Sequence, residues 1–137
     1  MQTKKELNNK ICNEAKKVML NAYAPYSKFS VGASLLTKNG KIFSGCNVEN
    51  SSFGLTVCAE RIAIFNAVAS GEKDFVAIAI TTSDNKIITP CGACLQVMSE
   101  FNPKLKLVLF SKNRNKIETT LDKIFPSPPE LKKLSKK

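Results

Sequence analysis

The chain has 137 residues, 43% hydrophobic and 23% charged, with five cysteines, a formal charge of +10 and no histidine. That length suits one compact domain spanning 1–137, with a core large enough to do without disulfide staples. The missing histidine excludes a Ser-His-Asp triad, a Cys-His dyad, an H-E-x-x-H protease and a Cys₂His₂ finger, so proton transfer near neutral pH falls to a carboxylate, a perturbed Cys or Lys, or a metal-bound water.

Thr3 and Glu6 have capping-box spacing. Leu7, Ile11, Ala15, Val18 and Ala22 then recur with helical period, which predicts a helix from Lys4 to Asn21. Pro25 breaks it. Phe29 to Leu36 and Lys41 to Cys46 read as two strands joined at Asn39-Gly40, hence antiparallel neighbours. Cys46 to Thr56 is a polar loop. Val57 to Ser70 is apolar on almost every side and predicts a buried helix that stops at Gly71. Phe75 to Thr81 predicts a third strand, Cys91 to Phe101 a third helix, and Leu105 to Phe110 a fourth strand. A turn at Asn113 to Asn115 leads to a short fifth strand, Lys116 to Thr120. The tail holds Pro126, Pro128 and Pro129, followed by a short helix.

Buried strands alternating with helices imply an α/β fold, a three-layer α/β/α sandwich around a five-stranded mixed sheet. Strands 2, 3 and 4 are expected to run parallel, joined by right-handed crossovers through the two inner helices. Both inner helices begin at a cysteine. Crossover geometry brings their starts to one edge of the sheet, where ligands gather in open α/β folds.

The chemistry concentrates in Cys58-Ala59-Glu60 and, further on, Cys91-Gly-Ala-Cys94. Two cysteines three apart at a helix start can grip one metal, and Cys58 can reach the same point. Three sulfurs leave a fourth position open, the layout of catalytic zinc, whose water ionises near neutral pH. Glu60 is close enough to handle protons without binding the metal. Three rival readings stand beside this one. The cysteines are ordinary buried thiols, or they hold a structural zinc with Cys46 as fourth ligand, or Glu60 is a solvated helix-start acid. Cys12 and Cys46 lack metal spacing and read as inert apolar fillers.

The cysteine pattern is a known signature of zinc-dependent nucleobase deaminases. From Tyr23 to Phe101 the sequence resembles the small, homotetrameric cytidine deaminases. The resemblance rests on A-P-Y-S-K-F-S-V-G-A (24–33), G-C-N-V-E-N (45–50), T-V-C-A-E-R (56–61) and P-C-G-A-C (90–94). It implies a cytidine deaminase-like fold, one Zn²⁺ per subunit on Cys58, Cys91 and Cys94, and Glu60 as the catalytic proton carrier. It also implies that Asn47 and Glu49 bind the ribose 3′-hydroxyl and that Phe29 packs against the pyrimidine. The backbone at Thr56 and Ala59 would contact the base. Phe125 is a candidate to stack on a base bound by a neighbouring subunit, against plain tail packing. Asn47 and Glu49 could instead shape a polar loop, and Phe29 could be core. Arg61 is implied to hydrogen-bond the ligand sulfurs and offset the single negative charge left by three thiolates and Zn²⁺. Its bland reading is a helix-surface arginine.

The chain departs from that family at Leu95, where relatives usually carry a second arginine, and at Phe53, where they usually carry tyrosine. The expected activity is hydrolytic deamination of cytidine and deoxycytidine to uridine and deoxyuridine with release of ammonia, in pyrimidine salvage. Two other classes stay open: a deaminase of the same fold with another substrate, such as a nucleoside antibiotic or a base in RNA, and a non-catalytic basic zinc module. The charge does not favour nucleic acid, because only Arg61 and Arg114 are arginine and the other basic residues are lysine. No membrane partner is expected, since no apolar run is long enough to span one. Met1 to Lys10 lack a signal-peptide stretch, so the expected location is cytoplasmic.

Overall fold

Thr3 opens the first helix, α1 (Lys4–Met19), with the predicted capping box. The Glu6 amide donates to Thr3 Oγ1 at 3.1 Å, and the Thr3 amide donates to Glu6 Oε1 at 3.5 Å. This computed structural model describes residues 2–113 and 115–130. The helix ends two residues before the expected Asn21, with Leu20 as its C-cap. The turn predicted over 113–115 includes one residue outside the described set, and a helix after Pro129 lies outside it.

Five strands form one sheet in the order β2-β1-β3-β4-β5. They are β1 (Val31–Thr37), β2 (Ile42–Cys46), β3 (Phe75–Thr82), β4 (Lys106–Phe110) and β5 (Lys116–Thr120). The hairpin β1–β2 is antiparallel, as Asn39-Gly40 predicts. β3 and β4 pair in parallel, while β1–β3 and β4–β5 are antiparallel. Strands 2, 3 and 4 therefore do point the same way. However, β1 sits between β2 and β3, so β3–β4 is the parallel hydrogen-bonded pair.

Alternation along the strands sorts the core onto two faces. Leu35, Ile78, Ile80, Leu107 and Leu109 pack with α2 (Ala59–Ala69) and α3 (Gly92–Phe101). Leu36, Ala77, Ala79, Val108 and Phe110 pack with Ile11 and Ala15 of α1. One sheet with α1 on one side and α2 and α3 on the other is the three-layer sandwich expected from the alternating pattern. Gly45 permits a close approach of α2 to the sheet. A Cβ there would lie 2.6 Å from Ala59 O and 2.6 Å from Ala63 N, so any side chain would push the start of α2 off the sheet.

The remaining differences are local. β1 starts at Val31, not Phe29, because the Phe29 amide and carbonyl bond to side chains instead of a strand. α2 starts at Ala59, not Val57, because Val57 pairs with Val48 in an isolated bridge. It stops at Gly71, whose φ of +90° suits glycine. Its outer side is not buried as predicted: Phe65 is 49% exposed. A one-turn helix, α4 (Leu121–Ile124), precedes the prolines and buries Leu121; its length is below what periodicity can reveal.

Candidate metal centre and active site

Two helix starts meet at the edge of the sheet. Cys58 is the N-cap of α2 and Cys91 the N-cap of α3, both with extended backbone. Neither side chain caps its helix's backbone amides; Cys58 Sγ instead meets Arg61 and Cys91 Sγ meets Cys94, so both sulfurs turn toward one point. Cys94 follows one turn into α3 and is fully buried. The three sulfurs lie within 4.8 Å of one another, with Cys58–Cys91 at 3.6 Å and Cys91–Cys94 at 3.4 Å.

The donor set fits zinc. Tetrahedral Zn–S bonds of about 2.3 Å put neighbouring sulfurs about 3.8 Å apart, close to the spacings seen here. One of the three sulfurs is already disposed to be a thiolate. The Cys58 thiol is pulled down to about 5, chiefly by hydrogen bonding from Cys94 and also by Arg61. Cys94 is correspondingly pushed up as the donor to Cys58. Both helix dipoles present their positive ends to the cluster, which favours thiolates. Cys46, the candidate fourth ligand, is not in the cluster, and burial pushes its thiol up. Cys12 packs on the α1 face of the sheet and is likewise pushed up, by burial.

Glu60 is 4% exposed. Burial pushes its carboxyl up to about 7, and the nearby Cys58 adds to the rise. A helix-start acid in solvent would behave otherwise, so that bland reading fails. Arg61 Nη2 donates to Cys58 Sγ at 3.5 Å, and this contact raises the arginine's pKa. Its Nε is buried without a partner among the described residues. Arg61 thus sits against the cluster and not on an open helix surface. Leu95 is partly buried against the main core. It brings no charge to the sulfurs.

Beside the cluster runs the polar loop. Val48 and Val57 exchange two backbone hydrogen bonds of 3.0 Å, which ties the loop to the entry of α2. Asn47 is buried, and both ends of its amide are engaged. Oδ1 accepts from the Val31 amide at 2.9 Å, and Nδ2 donates to Phe29 O at 2.8 Å. Glu49 accepts from the Tyr26 and Ser27 amides at 3.0 and 3.1 Å and from the Ser27 hydroxyl. The Ser27 hydroxyl, its amide and that of Tyr26 hold the Glu49 carboxyl below the usual range. Each group keeps spare capacity, one amide hydrogen and further lone pairs, for a ligand.

A cleft of about 350 Å³ opens here, lined by Tyr26, Ser27, Glu49, Phe53 and Thr56. Tyr26 and Phe53 meet edge to face, 6.2 Å between centroids. Tyr26 and Ser27 were missing from the sequence-derived candidates. Their signal was their place in the 24–33 motif, next to the helix-breaking Pro25. Phe29 and Phe125 are both partly buried against the main core of their own chain. Ala59 is fully buried, which leaves its backbone as its only means of contact.

Residues 5–111 match the family model for the cytidine and deoxycytidylate deaminase zinc-binding region. A cytidine deaminase from Sporosarcina psychrophila is 45% identical over 118 residues, 85% of this chain and 87% of that protein. A blasticidin-S deaminase from Bacillus cereus is 37% identical over 108 residues, 73% of this chain and 76% of that protein. The crystal structure of cytidine deaminase from Burkholderia pseudomallei superposes with a TM-score of 0.84 at 45% identity, covering 88% of this chain and 97% of that one.

Proposed function

The chain belongs to the cytidine and deoxycytidylate deaminase family, and from that premise we propose that it converts cytidine and deoxycytidine to uridine and deoxyuridine with release of ammonia. The observation that carries this reading is the convergence of the Cys58, Cys91 and Cys94 sulfurs beside the buried carboxyl of Glu60. It serves as one catalytic domain over 1–137, in pyrimidine salvage.

Zinc held by the three cysteines supplies Lewis-acid activation of water near neutral pH, which frees the reaction from any need for histidine. Glu60 takes a proton from the attacking water and delivers it to N3 as the oxygen bonds to C4. It then takes the remaining hydroxyl proton and passes it to the departing amine, so the C4–N bond breaks and ammonia leaves. A carboxyl near pKa 7 can accept and donate at similar cost, which suits this double duty. Arg61 offsets negative charge on the sulfurs. Asn47 and Glu49 hold the sugar hydroxyl, Phe29 packs against the base, and the Ala59 and Thr56 backbone positions it.

The chain works as a homotetramer in the cytoplasm, with Phe125 reaching a neighbouring site. Phe53, Leu55 and Phe65 are exposed apolar side chains that a second copy would cover. Among the described residues no helix is long and apolar enough to cross a membrane. A monomer in light scattering at assay concentration overturns the tetramer. For the activity, the ultraviolet change of cytidine is followed with purified protein, with and without a chelator. Turnover lost on chelation and restored by zinc is expected; no turnover of cytidine or deoxycytidine, with turnover of blasticidin S, overturns the substrate assignment.

A further inference from the structure

A groove of about 880 Å³, larger than the cleft beside Glu49, lies on the other face of the sheet. There α1 lies chiefly over β1, β3 and β2. The groove opens where its flank meets the ends of β3 and β4 and the start of β5. These are the C-terminal ends of the parallel pair, the edge at which open α/β sheets collect ligands.

Its chemistry is distinct from that of the sulfur cluster. Lys16, Lys112 and Lys116 line it, and no acidic residue does. Two acidic residues adjoin the groove without lining it: Glu118, 3.9 Å from Lys116 Nζ but 3.0 Å from Lys106 Nζ, and Asp84, whose backbone carbonyl accepts from the Lys112 amide. Lys16 Nζ stands 5.6 Å from the centroid of Phe110, so an ammonium is held over an aromatic wall. Met19 and Cys12 extend that apolar surface. Ser111 is 3% exposed, and its Oγ has no hydrogen-bond partner among the described residues. A buried hydroxyl without a partner is costly, which points to a group that arrives from outside.

Three point charges suit a dense anion such as phosphate, which lysine ammonium groups bind as point charges. The apolar surface suits a flat ring. We propose that this groove is a second small-molecule site, which takes a phosphate-bearing organic anion with a planar apolar group. Nothing in the proposed deamination calls for it, because a nucleoside carries no charge for the lysines to meet.

Calorimetry on the zinc-loaded full chain tests this with phenyl phosphate as probe and inorganic phosphate as the charge-only control. Phenyl phosphate should bind once per chain, more tightly than inorganic phosphate, and should weaken as salt rises. Saturating uridine should not displace it. Lys16→Gln with Lys112→Gln should weaken it about tenfold while cytidine turnover is unchanged. Ser111→Ala should weaken it without shifting the melting temperature downward. The proposal is overturned by no binding at millimolar probe, by equal affinity for inorganic phosphate, by displacement with uridine, or by unchanged affinity in the double lysine variant.

Discussion

The sulfur cluster and the polar loop beside it are built on opposite plans. Cys58 and Cys91 cap their helices through backbone alone, so their side chains have no structural duty. Asn47 and Glu49 are functional candidates too, yet their polar atoms already hold the backbone at 26–31. Substitutions at the cluster should therefore separate chemistry from folding. Substitutions in the loop should mix the two.

The largest effect is expected at the cluster. Cys94→Ala should lose zinc, read by atomic absorption, and turnover should fall to the uncatalysed background. Glu60→Ala comes next: zinc and melting temperature are kept, and kcat drops at least about 10²-fold. Undiminished turnover in that variant would remove Glu60 from the mechanism. In the loop, Asn47→Ala should destabilise the protein by about 1–3 kcal/mol in urea titrations, because the Val31 amide and Phe29 carbonyl lose partners. Its KM should rise as well; a higher KM with unchanged stability would break the contrast drawn above.

Glu49→Gln sharpens it by pH. The folded carboxyl is held below its ordinary 4.5, so the stability it adds is present above that value and is lost as pH falls through the folded one. Parent and variant should melt apart at neutral pH and converge in acid. A gap constant from pH 7 to pH 3 would show that the charge is not what holds the turn. The smallest effect belongs to Cys46→Ser, which should leave zinc content unchanged because Cys46 stands outside the cluster.

Much of the fold was legible because the signals were local. The capping box at Thr3, the hairpin at Asn39-Gly40 and the stop at Gly71 all appear where the sequence puts them. Helix and strand ends slipped by one or two residues where long-range bonds compete, as when Val48 claims Val57 from the start of α2. The run of α2, apolar on almost every side, predicted a buried helix, but the chain's own packing leaves Phe65 half exposed. For the site, spacing picked out Cys58, Glu60, Cys91 and Cys94. It could not show that Asn47 and Glu49 brace residues some twenty positions away, because hydrogen bonds across loops leave no periodic trace.

By itself the sequence determined the element order from the first helix to the fifth strand, the all-sulfur donor set and the need for a carboxylate to carry protons, since these follow from residue type and short-range pattern. Only the tertiary structure decided that two helix starts bring three sulfurs within bonding reach of one metal, and that burial lifts Glu60 into the working range of a proton carrier. The lysine-lined groove on the opposite face belongs to the same class. Distances and desolvation arise from segments far apart in the chain, and no local pattern encodes them.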